Sequence, residues 1–355
     1  MGEKMLLYIH IPYCDSKCHY CAFNSYVDKF DTRQNYMKAL AKQLTFELKR
    51  FKVKAEQIES IFIGGGTPST VSPELYEPIF KLLKPLIKNG AEITTEANPN
   101  SATKEWLKGM FDLGVNRVSF GVQSFNDTKL KALNRAHSPE QAIEAVNHAL
   151  DIGYKNLSLD LIYNYQGDTI KLLNSDIEKA FKLPINHLSA YELTIEGGTK
   201  FASTPRVKQE DDELAFFVAK TIENKGFKQY EISNFGTYQS EHNKGYWKLK
   251  NYMGVGAGAV GFLEHTRYYP ITDIDSYINN PLNIQEEALT AEELLTEKLF
   301  LGWRSNIGVD ETILDKAMKK QADFLVEKEK LIKVGNTYFN ENYFIADELV
   351  LFVLG

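Results

Sequence analysis

Over the first 195 residues, two kinds of hydrophobic patterning alternate along the chain. Nearly continuous apolar runs at Leu6–Ile11, Ile58–Ile63, Glu92–Ala97, Arg117–Val122, Asn156–Ile162 and His187–Leu193 are separated by stretches of helical spacing. Runs without strict alternation suit parallel strands buried on both faces. Between them, Tyr36-Met-Lys-Ala-Leu-Ala-Lys-Gln-Leu44 and Pro73-Glu-Leu-Tyr-Glu-Pro-Ile-Phe-Lys-Leu-Leu83 carry the helical period. Six strand–helix units in order predict an α/β domain with a parallel sheet and right-handed crossovers. Six are too few to close an eight-fold barrel, so the expected form is an open, partial (β/α)6 barrel.

After about residue 200 the pattern changes. Residues 210–225 read as a helix, and the Gly- and aromatic-rich region Tyr230–Tyr269 reads as short strands and turns. Residues 291–355 predict a compact unit with helices near 291–302, 311–318 and 320–331. A hairpin over Leu331–Phe339 follows, turned at Gly335-Asn336. The expected organisation is a barrel over residues 1–200, an α+β extension over 201–285, and a small winged-helix-like C-terminal domain over 286–355.

Composition sharpens this picture. Hydrophobic content of 43% and charged content of 25% are ordinary for a globular protein. A formal charge of −6 offers no overall basic face, so nucleic acid is not an expected partner and the C-terminal unit is not read as a DNA binder. The longest quasi-apolar stretch, Tyr252–Leu263, is Gly-rich and too short to span a bilayer. No signal-peptide cleavage site follows the opening Met1–His10 segment, and Leu6 stands where a myristoylation pattern needs Ser or Thr. Three cysteines without a disulfide framework fit a reducing interior, and the expected location is cytoplasmic.

Those three cysteines lie on one short segment, Cys14-Asp-Ser-Lys-Cys18-His-Tyr-Cys21. Three thiolates there can hold three irons of a [4Fe–4S] cluster, which takes four cysteines when the protein ligates it fully. The remaining iron would keep an open position, as catalytic metal sites do. The same thiols could bind zinc with His10 or His19 as a further ligand, or stay free.

Other polar residues gather where the predicted strands end. Gly64-Gly65-Gly66-Thr67-Pro68 either lets backbone approach a ligand closely or makes a tight turn. Glu96 and Asp160 are carboxylates at apolar strand ends, either paired or ligand-facing. Gln123 offers both donor and acceptor, and Arg135 could clamp a carboxylate through paired hydrogen bonds. Such strand ends form the active face of α/β barrels. Further on, His242-Asn243-Lys244-Gly245-Tyr246-Trp247 places a histidine beside two large rings. It could ligate haem iron while the rings cover the macrocycle, or be a packed loop histidine. His10 reads as a packing or hydrogen-bonding residue. The glycine run Gly254–Gly261 lacks the context of a dinucleotide fingerprint.

The C-x3-C-x2-C spacing resembles that of radical S-adenosylmethionine (SAM) proteins, in which SAM chelates the open iron. Six further segments extend the likeness: Tyr8-Ile-His-Ile-Pro-Tyr-Cys14, Gly64–Pro68, Glu96-Ala-Asn-Pro99, Asn116–Phe125, Tyr230–Phe235 and His242-Asn-x-x-Tyr-Trp247. The chain resembles the radical SAM coproporphyrinogen III dehydrogenase-like family, most closely its haem-chaperone branch. The resemblance spans residues 8 to about 261. It implies a cluster on Cys14, Cys18 and Cys21, and SAM contacts from Tyr8, Gly65, Gly66, Thr67, Glu96, Gln123, Arg135 and Asp160. It also implies haem as cargo and a haem-acceptor protein as partner; His242, Tyr246 and Trp247 are the residues expected to meet the haem.

Phe23 replaces an additional cysteine of the family's oxidative decarboxylase, and only thirteen residues precede Cys14 where that enzyme carries a longer arm. Both differences favour the chaperone branch over an oxygen-independent coproporphyrinogen III oxidase or a radical SAM enzyme on another substrate. Two departures stand out. Tyr163-Asn-Tyr-Gln-Gly-Asp-Thr169 replaces a Tyr-Gly-Leu-Pro-Gly-Gln-Thr loop. Ala259-Val260-Gly261 replaces Ala-His-Ser, which leaves His242 as the haem-ligand candidate.

Overall fold

The computed structural model describes residues 4–355. Met1–Glu3, part of the segment read as carrying no targeting signal, lie outside the described residues. The six expected runs form β1 (Met5–Ile11), β2 (Ile58–Gly65), β3 (Ile87–Ala97), β4 (Arg117–Gln123), β5 (Asn156–Tyr163) and β6 (His187–Glu192). They pair in parallel and in chain order, with helices between them. β3 starts at Ile87 rather than Glu92, because Ile58 pairs with Ile87 before a register shift brings Ser60 opposite Glu92.

The sheet continues past the barrel on both edges. β7 (Lys228–Glu231) and β8 (Asn234–Gly236) add antiparallel strands beyond β6. On the other edge β9 (Tyr252–Val255) runs parallel to β1, followed by antiparallel β10 (Gly261–Leu263), β11 (Thr266–Pro270) and β12 (Ile284–Ala288), making one twelve-stranded sheet. The α+β extension therefore shares the barrel's core, where Met253, Val255 and Tyr277 join the same apolar cluster as Leu7, Ile9 and Ile61.

Alternation along the barrel strands sends those aliphatic residues under the helices and the intervening residues to the concave side. That side is polar: Arg117 of β4 reaches His187 of β6 at 3.4 Å, and Ser119 of β4 reaches Asp160 of β5 at 3.3 Å. Its N-terminal end is floored by a helix, Glu241–Trp247, in the region expected to hold only strands and turns. Seven residues are too few for a periodic signal, and local capping starts the helix: Ser240 Oγ accepts from the Asn243 N–H at 3.3 Å. Gly245 lets the helix lie on β1, since a Cβ there would come within 2.4 Å of Leu6 Cδ1.

The C-terminal unit has its own core around Trp303, Leu325, Tyr338 and Val350. Helix Ala291–Trp303 leads to β13 (Val309–Asp310), helix Lys316–Glu327, the hairpin β14 (Ile332–Val334) with β15 (Thr337–Phe339), and helix Ala346–Leu354. The two helices expected near 311–318 and 320–331 are instead a single 3-10 turn, Glu311–Ile313, and one helix. Asp315 starts that helix by accepting from the Met318 N–H at 2.8 Å. The unit joins the barrel floor through backbone bonds, Ile232 N–H to Arg304 O at 3.0 Å and Asn306 N–H to Tyr230 O at 2.9 Å.

Candidate metal and cofactor centre

The cysteine segment leaves the C-terminal end of β1 and is pinned on both sides. Cys14 N–H donates to Tyr26 O at 3.0 Å, Ser16 Oγ to Asn134 O at 3.2 Å, and Asn134 Nδ2 to Lys17 O at 2.8 Å. Cys14 is buried while Cys18 and Cys21 are half-buried, and all three line a cavity of about 520 Å³ at the strands' C-terminal ends. Two of the sulfurs already receive donors. Thr67 Oγ1 lies 3.4 Å from Cys14 Sγ, and Arg135 Nη1 lies 3.2 Å from Cys18 Sγ.

The glycine segment brings these groups together. Gly66 N–H donates to Ile11 O at 2.8 Å and Thr67 N–H to Tyr13 O at 2.6 Å, strapping the turn after β2 to the start of the cysteine segment. Gly65 has φ +109°, and a Cβ there would come within 2.3 Å of the His10 ring. The motif is a tight turn whose backbone also lines the cavity wall.

Across the cavity stand two carboxylates with few partners. Glu96 Oε2 accepts the Gly65 N–H at 3.0 Å; burial, with Asp160 beside it, pushes its carboxyl up to about 8. Asp160 accepts from Ser119 Oγ at 3.3 Å, and burial pushes it up to about 6 against the pull of Ser189 and Arg117. Carboxylates held this high favour a cationic ligand that would restore their charge. SAM carries such a charge, and three sulfurs around one cavity suit three corners of a cubane. Zinc fits less well. His10 uses Nδ1 on the Tyr8 hydroxyl at 2.9 Å and Nε2 on Asn24 O at 2.8 Å. His19 uses Nδ1 on Ala132 O at 3.0 Å and Nε2 against Lys200 Nζ at 3.1 Å.

Gly65, Gly66, Thr67, Glu96, Gln123, Arg135 and Asp160 all line this cavity. Gln123 sits in the left-handed region at φ +67°, at the irregular end of β4. Tyr8 does not line it: its hydroxyl is bound to His10 and its ring stacks on Phe62 at 6.3 Å, below the cavity. Arg135 is placed as expected but engaged differently, donating through Nη2 to Asn98 Oδ1 and Gly121 O and through Nη1 to Cys18. Asn98 and Tyr20, cavity residues not singled out from the sequence, both sat inside motifs that were: Asn98 two positions after Glu96, Tyr20 between two cysteines.

The expected haem face requires correction. His242 is fully enclosed, with Nδ1 bound to Ser60 Oγ at 2.8 Å and its ring packed on Phe62 and edge-on to Tyr246 at 4.7 Å. Burial lowers its pKa to about 3, so the ring is neutral. Trp247 packs on Tyr230 at 5.6 Å. As folded, His242, Tyr246 and Trp247 build the barrel floor, at the opposite end from the cysteines. Neighbouring rings in a sequence mark packing as readily as a ligand face.

The departing loop keeps its turn by other means. Asn164, where the family pattern has glycine, takes φ +61°, a conformation asparagine tolerates best after glycine, and Gly167 takes φ +90°. Asp168 is buried against Lys129, whose Nζ lies 2.8 Å from its carboxylate and 2.6 Å from Ile162 O.

Residues 8–180 match the Radical SAM superfamily. The chain is similar to the haem chaperone HemW of Bacillus subtilis, 34% identical over 320 residues that cover 85% of this chain and 84% of that protein. It is likewise similar to HemW of Haemophilus influenzae, 35% identical over 354 residues, 94% of this chain and 92% of that one. Coproporphyrinogen III oxidase (HemN) from Escherichia coli, a radical SAM enzyme, shares the fold with a TM-score of 0.82. That match covers 99% of this chain and 90% of the other at 18% identity. The α/β fold with a partial radical SAM barrel is thus borne out. The chain belongs to the haem-chaperone HemW branch of the radical SAM superfamily, a superfamily whose cofactors are SAM and a [4Fe–4S] cluster.

Proposed function

We propose that this chain binds haem and passes it to an acceptor protein, carrying a SAM-liganded [4Fe–4S] cluster on Cys14, Cys18 and Cys21. The observation that carries this reading is likeness to haem chaperones through 94% of the chain, whereas likeness to the porphyrinogen oxidase, at 18% identity, is one of fold. Phe23 supports it further. Where the decarboxylase pattern has another cysteine, this ring stands 69% exposed at the cavity rim.

Within the cavity, Glu96 and Asp160 would face the cationic and ribose groups of SAM. Gly65 and Gly66 would offer backbone to its methionyl end, and Gln123 and Thr67 would complete the wall. An iron left without a thiolate would supply the point where SAM attaches and receives an electron. The three unpaired cysteines support a reducing, cytoplasmic setting. Among the described residues, no helix is long and apolar enough to cross a membrane.

Two assays on anaerobically reconstituted protein test this reading. One follows haem from the loaded protein to an apo-haem protein, separated by size. The other supplies coproporphyrinogen III with SAM and reductant. Haem transfer without protoporphyrinogen IX is the expected result. Decarboxylation over many turnovers would replace the chaperone with the oxidase.

A further inference from the structure

We infer that Arg135 and Thr67 are positioning residues that set the cluster's reduction potential by donating to its cysteine sulfurs, with Asn98 holding Arg135 in register. The inference rests on the cluster reading given above.

Arg135 follows a sharp turn in which Asn134 has φ +59°, and its side chain runs back under the cysteine segment. One edge of the guanidinium is anchored on Asn98 Oδ1 and Gly121 O. The other faces Cys18 Sγ at 3.2 Å and the Tyr20 hydroxyl at 3.5 Å. A planar fork tied at one edge has its remaining donors fixed in direction, and here Nη1 is aimed at the Cys18 sulfur. Nη2 is committed to Asn98 and Gly121 and Nε is buried without a partner, so Nη1 is the donor turned to the cysteine segment. Thr67 repeats the arrangement on a smaller scale. Its backbone is strapped to Tyr13 O at 2.6 Å, and its hydroxyl points at Cys14 Sγ from 3.4 Å.

Hydrogen bonds and positive charge at ligating sulfurs stabilise the extra electron of a reduced cluster and so raise its potential. The electron comes from the titrant and stays on the cluster, which passes from the 2+ to the 1+ state. Removing the Arg135 charge should shift that equilibrium about tenfold toward the oxidised form, a fall of about 59 mV for one electron. Losing the neutral Thr67 donor should shift it less, in the same direction.

The test is a redox titration of SAM-free, anaerobically reconstituted protein, with the reduced cluster read by its paramagnetic resonance. Omitting SAM separates an effect on the sulfurs from an effect on the ligand. Arg135→Gln should lower the potential most, Asn98→Ala and Thr67→Val should lower it by smaller steps, and Arg135→Lys should recover part of the loss. Unchanged potentials in Arg135→Gln and Asn98→Ala overturn the inference, and lost SAM affinity in the same proteins would make Arg135 the SAM clamp. If Arg135→Gln fails to load a cluster, Asn98→Ala and Thr67→Val decide, and no shift in either overturns it. Wild-type protein that binds metal without acid-labile sulfide defeats the cluster reading itself, a separate outcome.

Discussion

Glu92 and Glu96 lie four residues apart on β3, on the same concave side, and the protein treats them in opposite ways. At the floor, Glu92 is 5% exposed and accepts from the Tyr238 hydroxyl at 2.7 Å, Ser240 Oγ at 3.2 Å, and the N–H groups of Glu241 and His242 at 2.9 and 3.0 Å. Burial pushes it up, but Arg117 and these bonds outweigh burial and hold the carboxyl below its ordinary value. In the cavity, Glu96 has the Gly65 N–H, and burial holds it near 8. One carboxylate is saturated with donors; the other, with one N–H partner, is held toward its neutral form. The pH signs differ accordingly. Glu92 contributes stability above the unfolded carboxylate pKa, lost as pH falls through its lowered folded value. Glu96 contributes stability below the unfolded value, lost as pH rises through about 8.

Breaking each end should give distinct results. The largest effect is at the cavity's metal side: alanine at Cys14, Cys18 or Cys21 should each abolish stable cluster loading, measured as iron and acid-labile sulfide. At the floor, Glu92→Ala should cost about 3–5 kcal/mol in denaturant unfolding, because Arg117 and four donors lose a buried anion. Glu96→Gln should leave the SAM-free protein at pH 8 equally stable or more so. Equal losses from the two changes would erase the contrast.

His242→Ala should cost about 2–4 kcal/mol by opening a void and stranding Ser60. Its haem Soret band should stay unaltered at equal folded fraction; a lost band would return His242 to the haem iron. Asp160→Ala should weaken SAM binding by about 1.5–3 kcal/mol, roughly ten- to a hundred-fold, by calorimetry. The smallest change is Asn164→Ala, about 1–2 kcal/mol of stability from an alanine forced to positive φ.

The contrast also separates what sequence makes legible from what it hides. The barrel strands were readable because apolar runs report burial on both faces, and the cavity residues were readable because they follow those runs. The helix Glu241–Trp247 was not. Its local signal is a single cap at Ser240, and its first N–H groups are held by the carboxylate of Glu92, about 150 residues earlier in the chain. For the same reason His242 looked like a ligand: spacing places it beside Tyr246 and Trp247 but cannot show that Ser60 and Phe62 close over it. Arg135 was found by type and position, while its partner Cys18 became visible only when the turn at Asn134 set its direction.

Calorimetric titration of SAM into the reconstituted protein between pH 6 and pH 9 tests most directly whether the cavity carboxylates are held for a cation. Wild type is compared with a Glu96→Gln, Asp160→Asn double variant to remove SAM's own titration. Since the cation favours ionised carboxylates raised to about 8 and about 6, binding near pH 7 should release protons and wild-type affinity should rise with pH. The double variant should lose both effects. Identical proton release and pH dependence in the two proteins would contradict the account.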